Sequence, residues 1–337
     1  NEKSYTHSVG FSERGGVPIE YYLSEQWYLK MKALAEPAIK AVKDGDIKFH
    51  PPHWVKTYDH WMQNIKDWCI SRQLWWGHRI PVWYKKGEDS SLKENIHVSV
   101  VGPKDPENWE QDEDILDTWA SSWIWPFGVH DWPKSSDDLN SFYHTNTLVT
   151  GPDIIFFWVA RMIMAGYEFM EDLPFKDVYF TSILRDEKGR KLSKSMGNSP
   201  DPLDMIKQYG ADAVRFSILL ISPQGMDVLF SSDRMELGRN FMNKLWNAAR
   251  FVKMNTPSPE LLPEIDEVKS EFKLPEKWIV SRLNNTIMEV NRRINKFQFN
   301  EAVKVIYDFT WSDYCDWMIE ISKISFYGED KKRKKCL

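Results

Sequence analysis

The chain has 337 residues, 42% of them apolar and 28% charged, an ordinary balance for a globular fold of about two domains. Its net charge of −5 excludes a uniformly basic nucleic-acid binder while leaving room for a local cationic stripe. Its three cysteines, Cys69, Cys315 and Cys336, form no Cys-x-x-Cys pair, which argues against a zinc knuckle or a disulfide framework and fits a reducing, cytoplasmic setting. No apolar run reaches the ~18 residues of a membrane span.

Residues 1–26 alternate apolar and polar between Gly10, Gly15-Gly16 and Pro18, which predicts a β-ribbon or connector. The chain enters this pattern at Asn1 with no leader, so a piece of a longer protein is expected. A helix is predicted over 27–45, stopped at Asp44-Gly45, and a second, Trp-rich helix over 54–68. Arg79–Tyr84 reads as a strand. Residues 85–113 read as a polar loop or insertion, with one strand-like run at 97–101. Asn146–Thr150 then reads as a buried strand, Gly151 as a turn, about 153–166 as a helix and Val178–Ile183 as the next strand. Strand, glycine turn, helix, strand is a βαβ unit, which implies a parallel sheet with a right-handed crossover. Ligands of such sheets lie at the carboxyl ends of the strands, where Gly151 and the loop starting at Leu184 both fall.

Ser199-Pro200-Asp201-Pro202 opens a further helix and Gly210 closes it. Residues 255–276, rich in Pro and Glu, read as a linker. From Trp278 the spacing of Ile279, Leu283, Ile287, Val290, Ile294 and Phe297 predicts an amphipathic helix. Asn300 is the expected N-cap of another, running through Trp317. Two long helices with a short turn suggest part of a bundle. In the preceding helical stretch, Phe241, Leu245 and Ala248 mark a buried face and Arg239, Lys244 and Arg250 a wet one. The run Lys331–Lys335 reads as a solvated tail.

The most informative segment is Arg185-Asp186-Glu187-Lys188-Gly189-Arg190-Lys191-Leu192-Ser193-Lys194-Ser195. Five cations crowd into ten residues, and Gly189 and Gly197 let the loop bend. Phosphoryl and adenylyl transfer depend mainly on positioning and charge neutralisation, a task for a cationic loop beside a nucleotide site. The bland alternative is a solvated basic turn. Gly151-Pro152-Asp153 offers close backbone approach and a carboxylate for ribose hydroxyls, or simply a helix cap. Trp119 and Trp158 are either core residues or the walls of a small apolar slot.

The order of residues favours the functional readings. Lys191-Leu192-Ser193-Lys194-Ser195 after a strand resembles the KMSKS motif of class I aminoacyl-tRNA synthetases, with Leu192 where that family usually has Met, a swap of similar volume. The resemblance covers nearly the whole chain. Asp67-Trp68-Cys69-Ile70-Ser71-Arg72-Gln73-Leu74-Trp75-Trp76-Gly77-His78-Arg79-Ile80-Pro81 is similar to a long block in the valine-specific branch. So are Asp117-Thr118-Trp119 with Trp123 and Trp125-Pro126-Phe127, and Phe157-Trp158-Val159-Ala160-Arg161-Met162. Ala120 departs from the family, where Phe is usual, and Pro152 stands where relatives often have an aromatic.

The resemblance implies an α/β fold: the second half of a Rossmann-type parallel sheet over 27–198, carrying the loop, then stem-contact-like helices over 199–254 and the start of an anticodon-binding bundle over 277–337. Residues 1–26 would be the exit of an editing insertion. It implies ATP-dependent activation of valine and transfer to tRNA(Val) by a cytoplasmic monomer. Lys191, Ser193, Lys194 and Ser195 would act on the phosphates. Gly151, Asp153, Ile183 and Leu184, with Lys191 and Lys194, would hold ATP, and Trp119 and Trp158 would hold valine. Arg239, Lys244 and Arg250 are candidates for tRNA contact. Mg²⁺ is implied by the phosphates, with no protein ligand assigned. An apolar slot excludes isoleucine by size but discriminates poorly against isosteric threonine, a problem for which valine enzymes are the general illustration, so a hydrolytic site is expected elsewhere. No HxGH motif occurs; His50-Pro51-Pro52-His53 lacks its glycine, so weak or no activity is expected of this stretch alone. Alternative readings are the isoleucine-specific branch and a noncatalytic tRNA-binding piece.

Overall fold

The computed structural model describes residues 3–12, 15–193, 196–255 and 263–328. Lys194, Ser195, Cys336 and the basic run Lys331–Lys335 lie outside these. Among the described residues up to 26 there is one isolated bridge, Phe11 to Pro18, in place of a regular ribbon. In chain order the first elements are β1 (Tyr28–Leu29), α1 (Lys32–Asp44), β2 (Lys48–His50), α2 (Trp54–Gln63), β3 (Trp68–Cys69) and β4 (Ser71–Arg72). Helix α1 stops at Gly45, whose φ of 84° lies in the left-handed region that suits glycine. Helix α2 is shorter than expected, because Trp68 enters β3 and pairs antiparallel with Leu29 of β1.

Next come β5 (Val82–Lys85), β6 (Ile96–Val98), β7 (Trp109–Gln111) and β8 (Ile115–Leu116). The predicted polar loop is therefore built around an antiparallel sheet in the order β6–β5–β7. Its strands are three or four residues long, too short for an alternation pattern to stand out. Strands β4 and β8 pair antiparallel through Ser71–Leu116 and Arg72–Ile115, which places Arg72 beside the segment leading into α3 (Thr118–Ser122). Two short helices follow, α4 (Trp125–Gly128) and α5 (Asp137–Phe142).

The predicted βαβ unit is present as β9 (Thr145–Thr150), α6 (Ala160–Phe169) and β10 (Phe175–Phe180), with β9 and β10 parallel from Thr145–Phe175 to Thr150–Phe180. On the other side of β10 lies β2, also parallel, giving the order β2–β10–β9. Strand β2 escapes sequence reading because its three residues run straight into Pro51-Pro52. Helices α1, α2 and α6 cover this sheet around a core containing Phe49, Tyr58, Ile163, Phe175 and Phe180. Contrary to expectation β9 is not buried: among the described residues it pairs only with β10, and Val149 is 58% exposed.

Beyond the sheet, β11 (Leu184–Arg185) leads into the cationic loop. Then follow α7 (Pro202–Tyr209), α8 (Ala211–Ile221), β12 (Val228–Leu229), α9 (Asp233–Asn255) and α10 (Ile265–Val268). Strands β11 and β12 pair parallel, tying the loop's first arm to the segment before α9. Helices α8 and α9 pack so closely that a Cβ on Gly238 would lie 2.3 Å from both the Ala213 carbonyl oxygen and Ser217 Oγ. Ser217 Oγ accepts the Gly238 amide at 3.1 Å. Leu245, expected on the buried face of α9, is 46% exposed, whereas Phe241 and Ala248 are buried.

The chain ends in a helical array: α11 (Leu274–Asn295), α12 (Phe299–Asp308), a wide π-type segment over Phe309–Ile319, and α13 (Glu320–Phe326). Asn300 is not a cap but lies inside α12, because Phe297 takes a positive φ of 58° and makes the turn earlier, leaving Gln298 at the N-cap. The Phe297 ring stacks on His50 at 4.1 Å, joining this array to the end of β2.

Candidate active site

Strands β9 and β10 end side by side, and the Thr181 amide donates to the Thr150 carbonyl at 2.9 Å just beyond them. Two chain segments leave from this edge. Gly151 passes directly into a tight 3-10 turn, Pro152–Ile154, which projects Asp153. Leu184 and Arg185 lead into the cationic loop, which returns on itself where Lys191 bridges back to Arg185. The two segments meet: Lys191 Nζ donates to Asp153 Oδ2 at 2.7 Å. Lysine and carboxylate are 59% and 46% exposed, so both heads face open space above the strand ends.

The loop is internally braced. Asp186 accepts from the Lys188 and Arg190 amides at 3.0 and 2.9 Å, from Arg190 Nε at 2.8 Å and from Asn198 Nδ2 at 3.1 Å. Its carboxyl is held well below the usual carboxylate range, first by Asn198 and then by the Arg190 amide and guanidinium. Asn198 also accepts the Ser193 amide at 2.9 Å and donates to the Lys191 carbonyl at 3.2 Å. Leu192 packs with Leu184 against Val214, Phe230 and Met235, an apolar anchor next to the exposed Lys191. The predicted nucleotide residues Ile183 and Leu184 offer no free carbonyls: that of Ile183 accepts Val228 N at 3.0 Å and that of Leu184 accepts Leu192 N at 3.3 Å.

Beside this edge lies a cavity of about 1120 Å³ bounded by Trp61, Trp68, Trp119, Phe156, Phe157 and Arg161, among others. Trp119 stands on α3, whose N-terminus is held by Asp117 Oδ1 accepting the Trp119 amide at 3.0 Å. Asp117 Oδ2 takes Arg72 Nη2 at 2.5 Å and the Trp68 indole N–H at 3.1 Å. The Trp119 ring stacks on Phe157 at 5.9 Å. Trp158 is not among the residues bounding this cavity. Its indole N–H donates to the Ser122 carbonyl at 3.0 Å, fixing the other end of the same short helix. Of the predicted pair, Trp119 bounds the cavity and Trp158 braces α3. The backbone widens into a π turn over Ile155–Val159, which breaks the regular helical register expected there and sets Phe156 and Phe157 at the cavity.

Sequence reading missed Asp117, Arg72 and Trp68 as a unit. They lie up to 49 residues apart, and only Asp117 carries a local signal, as a cap before a short helix. The predicted basics of α9 are placed unevenly. Lys244 donates to Asp316 at 2.9 Å and lies over Trp311, Arg239 pairs with Glu236 at 3.2 Å, and Arg250 is exposed.

The sequence model described as "tRNA synthetases class I (I, L, M and V)" matches residues 3–231, and that described as "Anticodon-binding domain of tRNA ligase" matches residues 276–337. The valine–tRNA ligase of Chlorobaculum tepidum is 53% identical over 342 residues, covering 97% of this chain and 37% of that protein. That of Geobacillus stearothermophilus is 50% identical over 335 residues, covering 99% of this chain and 37% of that protein. The chain therefore spans little more than a third of the length of these relatives. Among solved structures, methionyl-tRNA synthetase of Mycobacterium tuberculosis bound by methionyl-adenylate aligns with a TM-score of 0.71 at 17% identity, over 97% of this chain and 59% of that one. A LeuRS–tRNA–LeuAMS ternary complex from Agrobacterium radiobacter K84 aligns with a TM-score of 0.57 at 17% identity, over 80% and 42%. At that identity the likeness concerns the fold.

Proposed function

The chain belongs to the class I tRNA synthetases (I, L, M and V), and on that footing we propose that it forms one side of a site that activates valine with ATP and passes it to tRNA(Val). The observation that carries this reading is the 2.7 Å contact between Lys191 of the cationic loop and Asp153 of the turn after β9. It brings a phosphate-seeking cation and a ribose-seeking carboxylate to one strand edge. Identity of about half across nearly the whole chain to valine–tRNA ligases supports the choice of amino acid.

In this reading the valine carboxylate attacks the α-phosphorus of ATP, the bond to the β-phosphate breaks, and pyrophosphate leaves. A hydroxyl at the tRNA 3′ end then attacks the adenylate carbonyl and releases AMP. No side chain acts as nucleophile. Asp153 accepts from the ribose and Gly151 lets the nucleotide approach the backbone. Lys191, with Lys194, Ser193 and Ser195 of the same motif, stabilises the departing pyrophosphate. Trp119 bounds the valine slot, and Trp158 shapes it through Ser122. Magnesium would arrive with the phosphates and shield their charge. Among the described residues no three His, Cys, Asp or Glu side chains gather to hold a metal. No helix among the described residues is long and apolar enough to cross a membrane, and we take the whole protein to be a cytoplasmic monomer.

The test is ATP–pyrophosphate exchange with valine, isoleucine and threonine, run on the full-length product of the gene and on the 337-residue chain. Valine-dependent exchange by the full-length product, and little or none by the chain alone, is expected. Preference for isoleucine would replace valine with the alternative branch. Salt-sensitive tRNA binding without any exchange by either protein would favour a noncatalytic role.

A further inference from the structure

Arg161 is 6% exposed, yet it borders the cavity of about 1120 Å³ described above. Its guanidinium carbon lies over the Trp68 ring, 3.6 Å from the centroid, with Phe156 and Phe157 farther off at 5.7 and 5.8 Å. Among the described residues its one hydrogen bond is a long one, from Nη1 to the Phe157 carbonyl at 3.4 Å. Nε is buried without a partner. Burial pushes its pKa down to about 10, so the group still carries its charge at neutral pH. The neighbouring carboxylate, Asp117, is engaged by Arg72, Trp68 and the Trp119 amide. Asp117 lies close enough to favour the charged arginine, but Arg72 shares and opposes that attraction; a buried cation so incompletely compensated is costly, and an aromatic face offsets only part of that cost.

We propose that Arg161 is the receptor of a carboxylate-binding subsite in this cavity, its Nε edge presented to a carboxylate group from outside the described residues. The shape of the group selects the ligand. Nη1 is turned to Phe157, so the Nε–Nη2 edge remains, and two parallel N–H donors match the two oxygens of a carboxylate side-on. That carboxylate has two possible sources: a free amino acid in the cavity, or an Asp or Glu side chain of the longer protein. Neither source requires that adenylate chemistry occur here, so the subsite stands or falls apart from the reading above.

The experiment follows the Arg161 Nε–H resonance in the ¹⁵N-arginine-labelled 337-residue chain, assigned as the peak lost in Arg161→Lys. The chain is titrated with sodium acetate, valine and valinol, with sodium chloride as the ionic-strength control. Acetate is expected to shift the resonance saturably and chloride and valinol to leave it in place. A valine midpoint at least tenfold below that of acetate assigns the subsite to the free amino acid; equal midpoints assign it to a protein side chain. A second measurement is the melting temperature of Arg161→Met, which removes the charge but keeps an apolar stem over Trp68. It is expected to match or exceed that of the parent chain. A resonance unmoved by every carboxylate, or a clear fall in melting temperature for Arg161→Met, overturns the proposal, since the arginine would then serve the fold by stacking alone. Absence of a valine-specific effect beside a normal acetate response would count against the amino-acid slot and leave the subsite standing.

Discussion

Lys191 and Asp153 are 38 residues apart in sequence and 2.7 Å apart in space, each on a different segment leaving the same sheet edge. Being well exposed, this ion pair contributes little to stability, on the order of 0–1 kcal/mol. Its meaning is positional. On the function proposed above, the lysine here satisfies the carboxylate that a ribose would engage, and ATP would exchange this contact for two of its own.

That exchange has a kinetic signature in the full-length protein. Lys191→Ala is expected to lower kcat of valine-dependent exchange by about 10²–10³-fold, the usual cost of one charge-stabilising group. Asp153→Asn is expected mainly to raise KM for ATP. Both variants should melt within a degree or two of the parent. Steady-state exchange at varied ATP, with a thermal melt on each variant, separates the two roles.

Asp186 gives the loop a predictable acid limit. Its folded pKa is depressed below the ordinary 3.8, with Asn198 as the main cause. A depressed carboxylate contributes its stabilisation above the unfolded pKa and loses it as pH falls through the folded value. The brace should therefore hold through pH 4 and weaken only below the range where free carboxylates protonate. Chemical shifts of the Lys188 and Arg190 amides against pH would show this as a transition well below that of exposed aspartates. Asn198→Ala should move the transition upward toward 3.8.

The contact of α8 with α9 offers a stability test remote from the chemistry. Gly238→Ala would place a methyl 2.3 Å from the Ala213 carbonyl oxygen, a backbone atom that cannot rotate away. Overpacking of this kind costs about 1–3 kcal/mol. A fall of several degrees in melting temperature is expected. Ser217→Ala, which removes the acceptor of the Gly238 amide, should also destabilise, and the two effects should not add because they share one contact.

Among the α9 basics, Arg250 is the better candidate for a polyanion, since Lys244 is held by Asp316 and raised in pKa chiefly by that bond. In the full-length protein, Arg250→Ala should weaken tRNA binding and reduce the salt slope by about one. Lys244→Ala should act mainly on the thermal stability of the helical array. Filter binding across a salt series, paired with melts, distinguishes them.

The sequence made the βαβ unit, the stop of α1 at Gly45 and the cationic loop readable, because each rests on a local pattern: apolar runs, a glycine stop, a charge cluster. The three-residue strand β2 before two prolines carries no such pattern, and it joins the sheet only through its pairing with β10. The apolar spacing in α11 was legible, but not its burial: Leu283, Ile287 and Ile294 are 41%, 50% and 45% exposed. The sequence offered Trp119 and Trp158 as a matched pair and did not distinguish the one that bounds the cavity from the one that braces α3. Their two roles depend on where α3 is pinned, and the Asp117–Arg72–Trp68 contacts that pin it span 45 to 49 residues. The loop's motif was legible, whereas the brace by Asp186 and Asn198 is a matter of three-dimensional reach.

Among the described residues one side of β9 is unpaired, and this has a practical consequence. A row of backbone donors and acceptors with Val149 standing clear of the surface is a template for a further strand. At high concentration two such edges are expected to pair with each other. Association that rises with concentration is the expected outcome, and a short strand-forming peptide that caps the edge should reduce it.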